Sequence, residues 1–184
     1  MSEMFCFQCE QTTGGKGCLK IGACGKQPEV SNKQDVLTAA LIGLARSAEG
    51  KAPEKSADKI MMEGLFATLT NVNFDAARID AYIQQAHDEK EKLGGAQDYP
   101  VESLWEGDPD VVSLRSTLLL GLRGMAAYAW HAFLLGKNDE EVTAWLYKGM
   151  QAVGADHSVE EWLGLLMEFG QINLKCLAML DEAN

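Results

Sequence analysis

Beyond residue 30, apolar positions recur at helical spacing along most of the chain. In SNKQDVLTAALIGLARSA, a Ser31/Gln34 capping box precedes Val36, Leu37, Ala40, Leu41, Leu44 and Ala48 on one face. Gly50 and Pro53 break that pattern. A second run follows with Ile60, Met61, Leu65 and Leu69 on one side. Asn73 reads as the next N-cap. It opens a third helix that turns Ile79, Tyr82, Ile83 and Ala86 inward, keeps a charged face outside and stops at Gly94-Gly95. AQDYPVESLWEGDPD, with two prolines and several acids, reads as a linker.

The second half repeats the plan. Asp108 caps and Pro109 takes the first helical position. The run VVSLRSTLLLGLRGMAAYAWHAFLLG is apolar almost all round, which predicts a central, buried helix ending at Gly136. Asn138 with Glu141 opens a fifth helix carrying Val142, Trp145, Leu146, Met150 and Val153. A Ser158/Glu161 capping box opens a sixth with Trp162, Leu163, Leu166, Leu174, Leu177 and Leu180. ALIGLARSA from Ala40 is echoed by LLLGLRGMA from Leu118, a displacement of 118 − 40 = 78 residues, and two more helices follow each copy. No stretch alternates with period two. The expected fold is therefore all-α: two three-helix bundles in tandem, 31–95 and 110–184, joined by a 96–109 linker and preceded by a cysteine-rich 1–30 loop.

Composition adds limits. The 184 residues are 47% hydrophobic and 23% charged, which suits a globular protein with one good core or two small ones. The net charge of -11 argues against nucleic acid and anionic membrane as partners. It allows a basic redox partner. No run reaches eighteen uninterrupted apolar residues, so no membrane span is expected. MSEMFCFQCEQ has Glu3 and no basic or apolar leader segment, so a cytoplasmic location is expected. Thiols stay reduced there.

That compartment changes how the cysteines read. Four of the five, Cys6, Cys9, Cys18 and Cys24, form C-x2-C-x8-C-x5-C before the first helix. As reduced thiols they are metal ligands rather than disulfide partners. Structural zinc prefers two short cysteine pairs, or one pair with two histidines. Here the second pair is C-x5-C, and His87, His131 and His157 are all distant. An iron–sulfur cluster tolerates uneven spacing, and its sulfides accept hydrogen bonds from backbone N–H groups. Gly14, Gly15, Gly17, Gly22 and Gly25 suit such a loop. The chemistry favours iron–sulfur and leaves zinc as the alternative.

The segments FCFQCEQT, GC and GACGK, followed by QDVLTAALIGL, resemble the start of the hybrid cluster proteins, also called prismane proteins or hydroxylamine reductases. LRSTLLLGLRGMAAYAWHAFLLGKNDEEV and KCLAMLDEAN resemble later parts of the same helical region, so the likeness runs from Met4 to Asn184. The resemblance implies that Cys6, Cys9, Cys18 and Cys24 bind a cubane [4Fe–4S] cluster; [2Fe–2S], found with longer gaps, is the alternative. It also implies two three-helix bundles. Members of that family carry a second, mixed iron–sulfur–oxygen cluster in downstream α/β domains, and it performs catalysis. None of those ligand positions falls within this chain, where Cys176 is the one cysteine left.

The expected function is an iron–sulfur electron-transfer module. In the parent enzyme, resemblance implies reduction of hydroxylamine or nitric oxide in anaerobic nitrogen-stress metabolism, a reaction this chain alone should not perform. The rival readings are a stand-alone iron–sulfur sensor and a zinc-stabilised helical interaction module. Expected partners are a redox donor protein and, through an apolar bundle face, a second copy or a companion catalytic chain. Of the remaining residues, Cys176 reads as a small core hydrophobe and His131 as a core or interface histidine. His87 and His157 read as exposed, and the four tryptophans as core. Lys16, Lys20 and Lys26 read as surface lysines, or as groups offsetting the charge of about −2 (2 − 4) on a four-thiolate cubane.

Overall fold

The computed structural model describes residues 4–184, so Glu3 and the first three positions of the expected 1–30 loop lie outside the described residues. The described residues form six α-helices and no strand: α1 Pro28–Ser47, α2 Lys55–Ala67, α3 Ala76–Lys92, α4 Pro109–Leu134, α5 Glu140–Val153 and α6 Val159–Ala183. The all-α expectation holds.

Several helix starts differ from the sequence reading. α1 begins at Pro28, three residues before Ser31, because proline at the first helical position has its φ preset and no N–H to satisfy. Ser31 is then interior, and Gln34 is engaged elsewhere. α3 is capped by Asp75, whose carboxylate accepts from the Ala77 and Arg78 N–H groups; Asn73 Oδ1 accepts the Asp75 N–H instead. α5 is capped by Asp139 rather than Asn138. The cap at Asp108 and the Ser158/Glu161 capping box form as read.

α1 packs against α3 and α4 against α6, while α2–α4 and α1–α5 contacts join the two trios. One continuous core results, running through Leu41, Met61, Leu122, Leu146 and Trp162. The glycines at matching positions of the 78-residue echo serve these packings. A Cβ on Gly43 would sit 2.5 Å from Asp98 Oδ1 and 3.3 Å from the Lys90 stem of α3. One on Gly121 would sit 2.6 Å from the Phe169 ring of α6. The 96–109 segment lies against the helices. Tyr99 N–H donates to Ala39 O (3.3 Å), Leu104 is buried, and Arg115 Nη2 donates to the Leu104 and Glu106 carbonyls, each at 2.9 Å.

Burial corrects some assignments. Val36 points outward, as do Leu163, Leu174 and Leu177. On α6 only Trp162, Ile172 and Cys176 are fully buried. His131 is exposed, with its ring edge-on to Phe66 at 5.3 Å, so it is not a core residue. Leu134 and Leu135, at the end of α4, are also exposed. His87 is half-buried and shares Asp98 with Lys90, each at 2.7 Å. His157 is half-buried, edge-on to Trp162 at 4.9 Å. Of the tryptophans, Trp145 and Trp162 are buried, and Trp105 and Trp130 are half-buried. Cys176 is buried, with burial raising its thiol pKa to about 11, as a core hydrophobe should behave.

α6 is long and apolar enough to cross a membrane by length and composition. Its two mid-helix charges are nevertheless tied to α5 and its cap. Glu168 accepts from Trp145 Nε1 and Lys148 Nζ, and Lys175 pairs with Asp139 and Glu141.

Candidate metal centre

The cysteine loop is built on one antiparallel bridge. Cys6 N–H donates to Cys18 O (3.2 Å) and Cys18 N–H to Cys6 O (2.8 Å), extended by Met4 N–H to Leu19 O (3.1 Å). The bridge sets Cys6 opposite Cys18 although they are twelve positions apart in the sequence. Gly17 lets the Phe5 ring lie close beside it, since a Cβ there would sit 2.5 Å from that ring. The chain reverses between the two cysteines through a 3-10 turn, Thr13–Gly15, in which Gly14 and Gly15 have φ of 65° and 67°, a region glycine enters without strain. Cys9 leads into this turn. Its carbonyl accepts from both Thr12 N–H (3.2 Å) and Thr12 Oγ1 (2.6 Å). Cys24 sits in a second tight turn closed by Gly22 N–H to Lys26 O and Gly25 N–H to Gly22 O, both 2.8 Å.

The thiols differ in surroundings. Cys18 is buried, Cys6 and Cys9 are half-buried, and Cys24 is exposed; all four are free. Thr13 Oγ1 lies 3.4 Å from Cys18 Sγ. That hydrogen bond, joined by backbone N–H groups of Thr13 and Ala23, lowers the Cys18 pKa and favours its thiolate. The structure thus brings Cys6 and Cys18 together and places Cys9 and Cys24 in the flanking turns. Among the described residues, no three His, Cys, Asp or Glu side chains converge as ligands of one metal ion.

The loop is anchored on the helices. Gln8 receives the Thr70 hydroxyl at its carbonyl and side chain (3.3 and 3.2 Å), just past the end of α2. Phe7 sits edge-on to Trp105 at 5.2 Å, and the Trp105 Nε1–H points to Asp35 Oδ2 at 3.5 Å. Lys26 is 2% exposed and donates to Gln34 Oε1 at 2.6 Å; Gln34 Nε2 donates onward to Asn73 O at 3.0 Å. Lys26 is therefore not a surface lysine, whereas Lys16 and Lys20 are exposed. Beneath it Asp35 is buried, and desolvation raises its pKa to about 6 against the pull of Arg123, Trp105 and Lys26. Arg123 of α4 is fully buried, with Nη2 donating to Thr38 Oγ1 at 3.0 Å.

The sequence reading missed Asp35 and Arg123. A signal for Arg123 exists, since charges are scarce in the otherwise apolar α4 run. Asp35 looks like an ordinary helix-surface acid, and only tertiary packing buries it.

The donor chemistry suits a metal–sulfur group. Four thiols, one already stabilised as thiolate, occupy one glycine-bearing loop, and thiolate donors select soft metals and iron–sulfur groups. The polar residues below bring two buried cations, Lys26 and Arg123, which suit a ligand of net negative charge.

Comparison with known proteins gives the class. The chain belongs to the Prismane/CO dehydrogenase family, whose model matches residues 4–184. Within it, the chain is similar to proteins named hydroxylamine reductase. It is 41% identical over 217 residues to that of Syntrophobacter fumaroxidans, covering 98% of this chain and 40% of the relative. It is 39% identical over 212 residues to that of Solidesulfovibrio magneticus (98% and 39%) and 35% identical over 217 residues to that of Nitratidesulfovibrio vulgaris (98% and 39%). The chain spans about two fifths of the length of these curated relatives. The resemblance to hybrid cluster proteins carried by the cysteine motif therefore extends along the whole described chain.

Proposed function

We propose that Cys6, Cys9, Cys18 and Cys24 hold a [4Fe–4S] cluster and that this chain works as an electron-transfer module of a hydroxylamine-reducing system. The observation that carries this reading is the all-cysteine loop, pinned by the Cys6–Cys18 bridge and tied to α1 through buried Lys26 and Gln34. When bound, such a cluster exchanges one electron at a time with its surroundings. The chain's residues supply the rest. The bridge and the two turns keep the four cysteines in one loop, Thr13 favours a thiolate at Cys18, and Phe7, Trp105 and Gln8 fix the loop to the helices.

Exposed Lys16, Leu19, Lys20 and Ile21 flank Cys18 in sequence and precede the exposed Cys24. They suit a redox donor protein with an acidic rim, in the cytoplasm. Four cysteines saturate the cluster and leave no place for hydroxylamine. Reduction of hydroxylamine to ammonia, which takes two electrons, then belongs to the length of the relatives that this chain does not span.

An anaerobic iron and sulfide count on the purified chain tests this. About four irons and four sulfides per chain are expected. About two of each would mean [2Fe–2S]. One zinc without sulfide would move the protein to the interaction-module reading. A cubane that is lost in air together with a change of oligomeric state would favour the sensor reading.

A further inference from the structure

Arg123 is an unusual residue to find where it is. It stands in a largely apolar helix and is 0% exposed. Only one of its N–H groups has a partner, Thr38 Oγ1 at 3.0 Å; Nε and Nη1 are buried with no hydrogen-bond partner. Burying a donor without a partner is costly, and burying a charge costs more. A guanidinium left this way is stabilised by negative charge close by.

The protein supplies only part of that charge. Asp35 is the one buried carboxylate in the group, and buried Lys26 lies there too. Two cations against one acid leave 2 − 1 = +1 beneath the loop at neutral pH. Phe7, next to Cys6, meets Trp105 edge-on, Trp105 reaches Asp35, and Asp35 lies one helical turn from Thr38, which holds Arg123, so the loop, the acid and α4 are linked through one set of contacts. Burial lowers the Arg123 pKa to about 10, and the carboxylate of Asp35 opposes this.

We propose that Arg123 is a positioning residue for the cysteine-bound cluster: its unpartnered N–H groups and its charge stabilise the cluster's reduced, more negative state and so hold its reduction potential up. This rests on the cluster reading above. Thr38 is the anchor that aims the guanidinium. Reduction adds one negative charge to the cluster, and a fixed buried cation is screened little by solvent, so its effect falls on the equilibrium between oxidised and reduced forms.

The test is the midpoint potential of the iron-loaded full chain, followed by EPR, for the wild type, Arg123→Met, Arg123→Lys and Thr38→Val. Arg123→Met should keep its iron and favour the oxidised form at least tenfold, a shift of about 59 mV to lower potential for one electron. Arg123→Lys should recover most of that shift, because the charge returns. Thr38→Val, which removes only the anchoring hydroxyl, should shift the potential in the same direction by less. Should Arg123→Met fail to fold, Arg123→Lys and Thr38→Val decide. A downward shift in Thr38→Val that exceeds that of Arg123→Lys supports the proposal, and two unchanged potentials overturn it. A wild-type chain without iron overturns the cluster reading and this inference with it. An iron-loaded wild type whose potential matches that of Arg123→Met overturns this inference alone.

Discussion

Asp35 has an environment that should be visible in stability. Burial raises its pKa from 3.8 to about 6, so the folded state holds this proton more tightly than the unfolded chain. The stability this gives is fully present below about pH 4 and is lost as pH rises through about 6. The cost at neutral pH is on the order of 3 kcal/mol. Asp35→Asn removes the titration. The melting temperature of the variant minus that of the wild type should therefore rise steadily from pH 4 to pH 7. The slope is the readout, because Asn also leaves Arg123 without its counter-charge and offsets the absolute value. A flat difference would show that Asp35 is solvated. Cys9 offers a complementary experiment. It lies in the loop and outside the helical core, so Cys9→Ser should remove most of the iron while helical circular dichroism stays within a few per cent of the wild type. Collapse of the helical signal would show that the loop holds the helices together.

Among the helices, two positions test how the elements are set. Ser158→Ala removes the hydroxyl that caps α6 and should lower unfolding stability by about 1 kcal/mol in denaturant titrations. Gly121→Ala places a methyl 2.6 Å from the Phe169 ring and should destabilise by about 1–3 kcal/mol, through separation of α6 from α4. These elements were largely legible in the sequence because helical periodicity and capping are local. The Ser158/Glu161 box and the Asp108-Pro109 start need only neighbouring residues to form. The Ser31/Gln34 box failed for an equally physical reason: Pro28 starts the helix earlier, and the Gln34 side chain is held by Lys26 and the Asn73 carbonyl. Asn73 and Asn138 each lost the cap to an aspartate one or two residues on. The candidate cysteines were legible from their spacing. The residues beneath them were not, because Lys26, Asp35 and Arg123 come from the loop, α1 and α4, and their burial depends on how those elements meet.

At the scale of the molecule, one core ties all six helices together, yet α6 leaves an apolar side uncovered. Leu163, Met167 and Leu174 are 49%, 75% and 68% exposed, and Leu134 at the end of α4 is 62% exposed. Such a face seeks cover. Sedimentation velocity at roughly tens of micromolar should show a species heavier than the 20.1 kDa chain. Met167→Glu with Leu174→Lys should return it to monomer. A clean wild-type monomer would contradict this. The central claim concerns the four cysteines of the N-terminal loop. Its most direct test is an EPR-monitored potentiometric titration of the anaerobically purified chain. The account predicts one wave with the slope of a single electron and a fast-relaxing S = 1/2 signal that appears on reduction. No signal at any potential, with metal still bound, would contradict it.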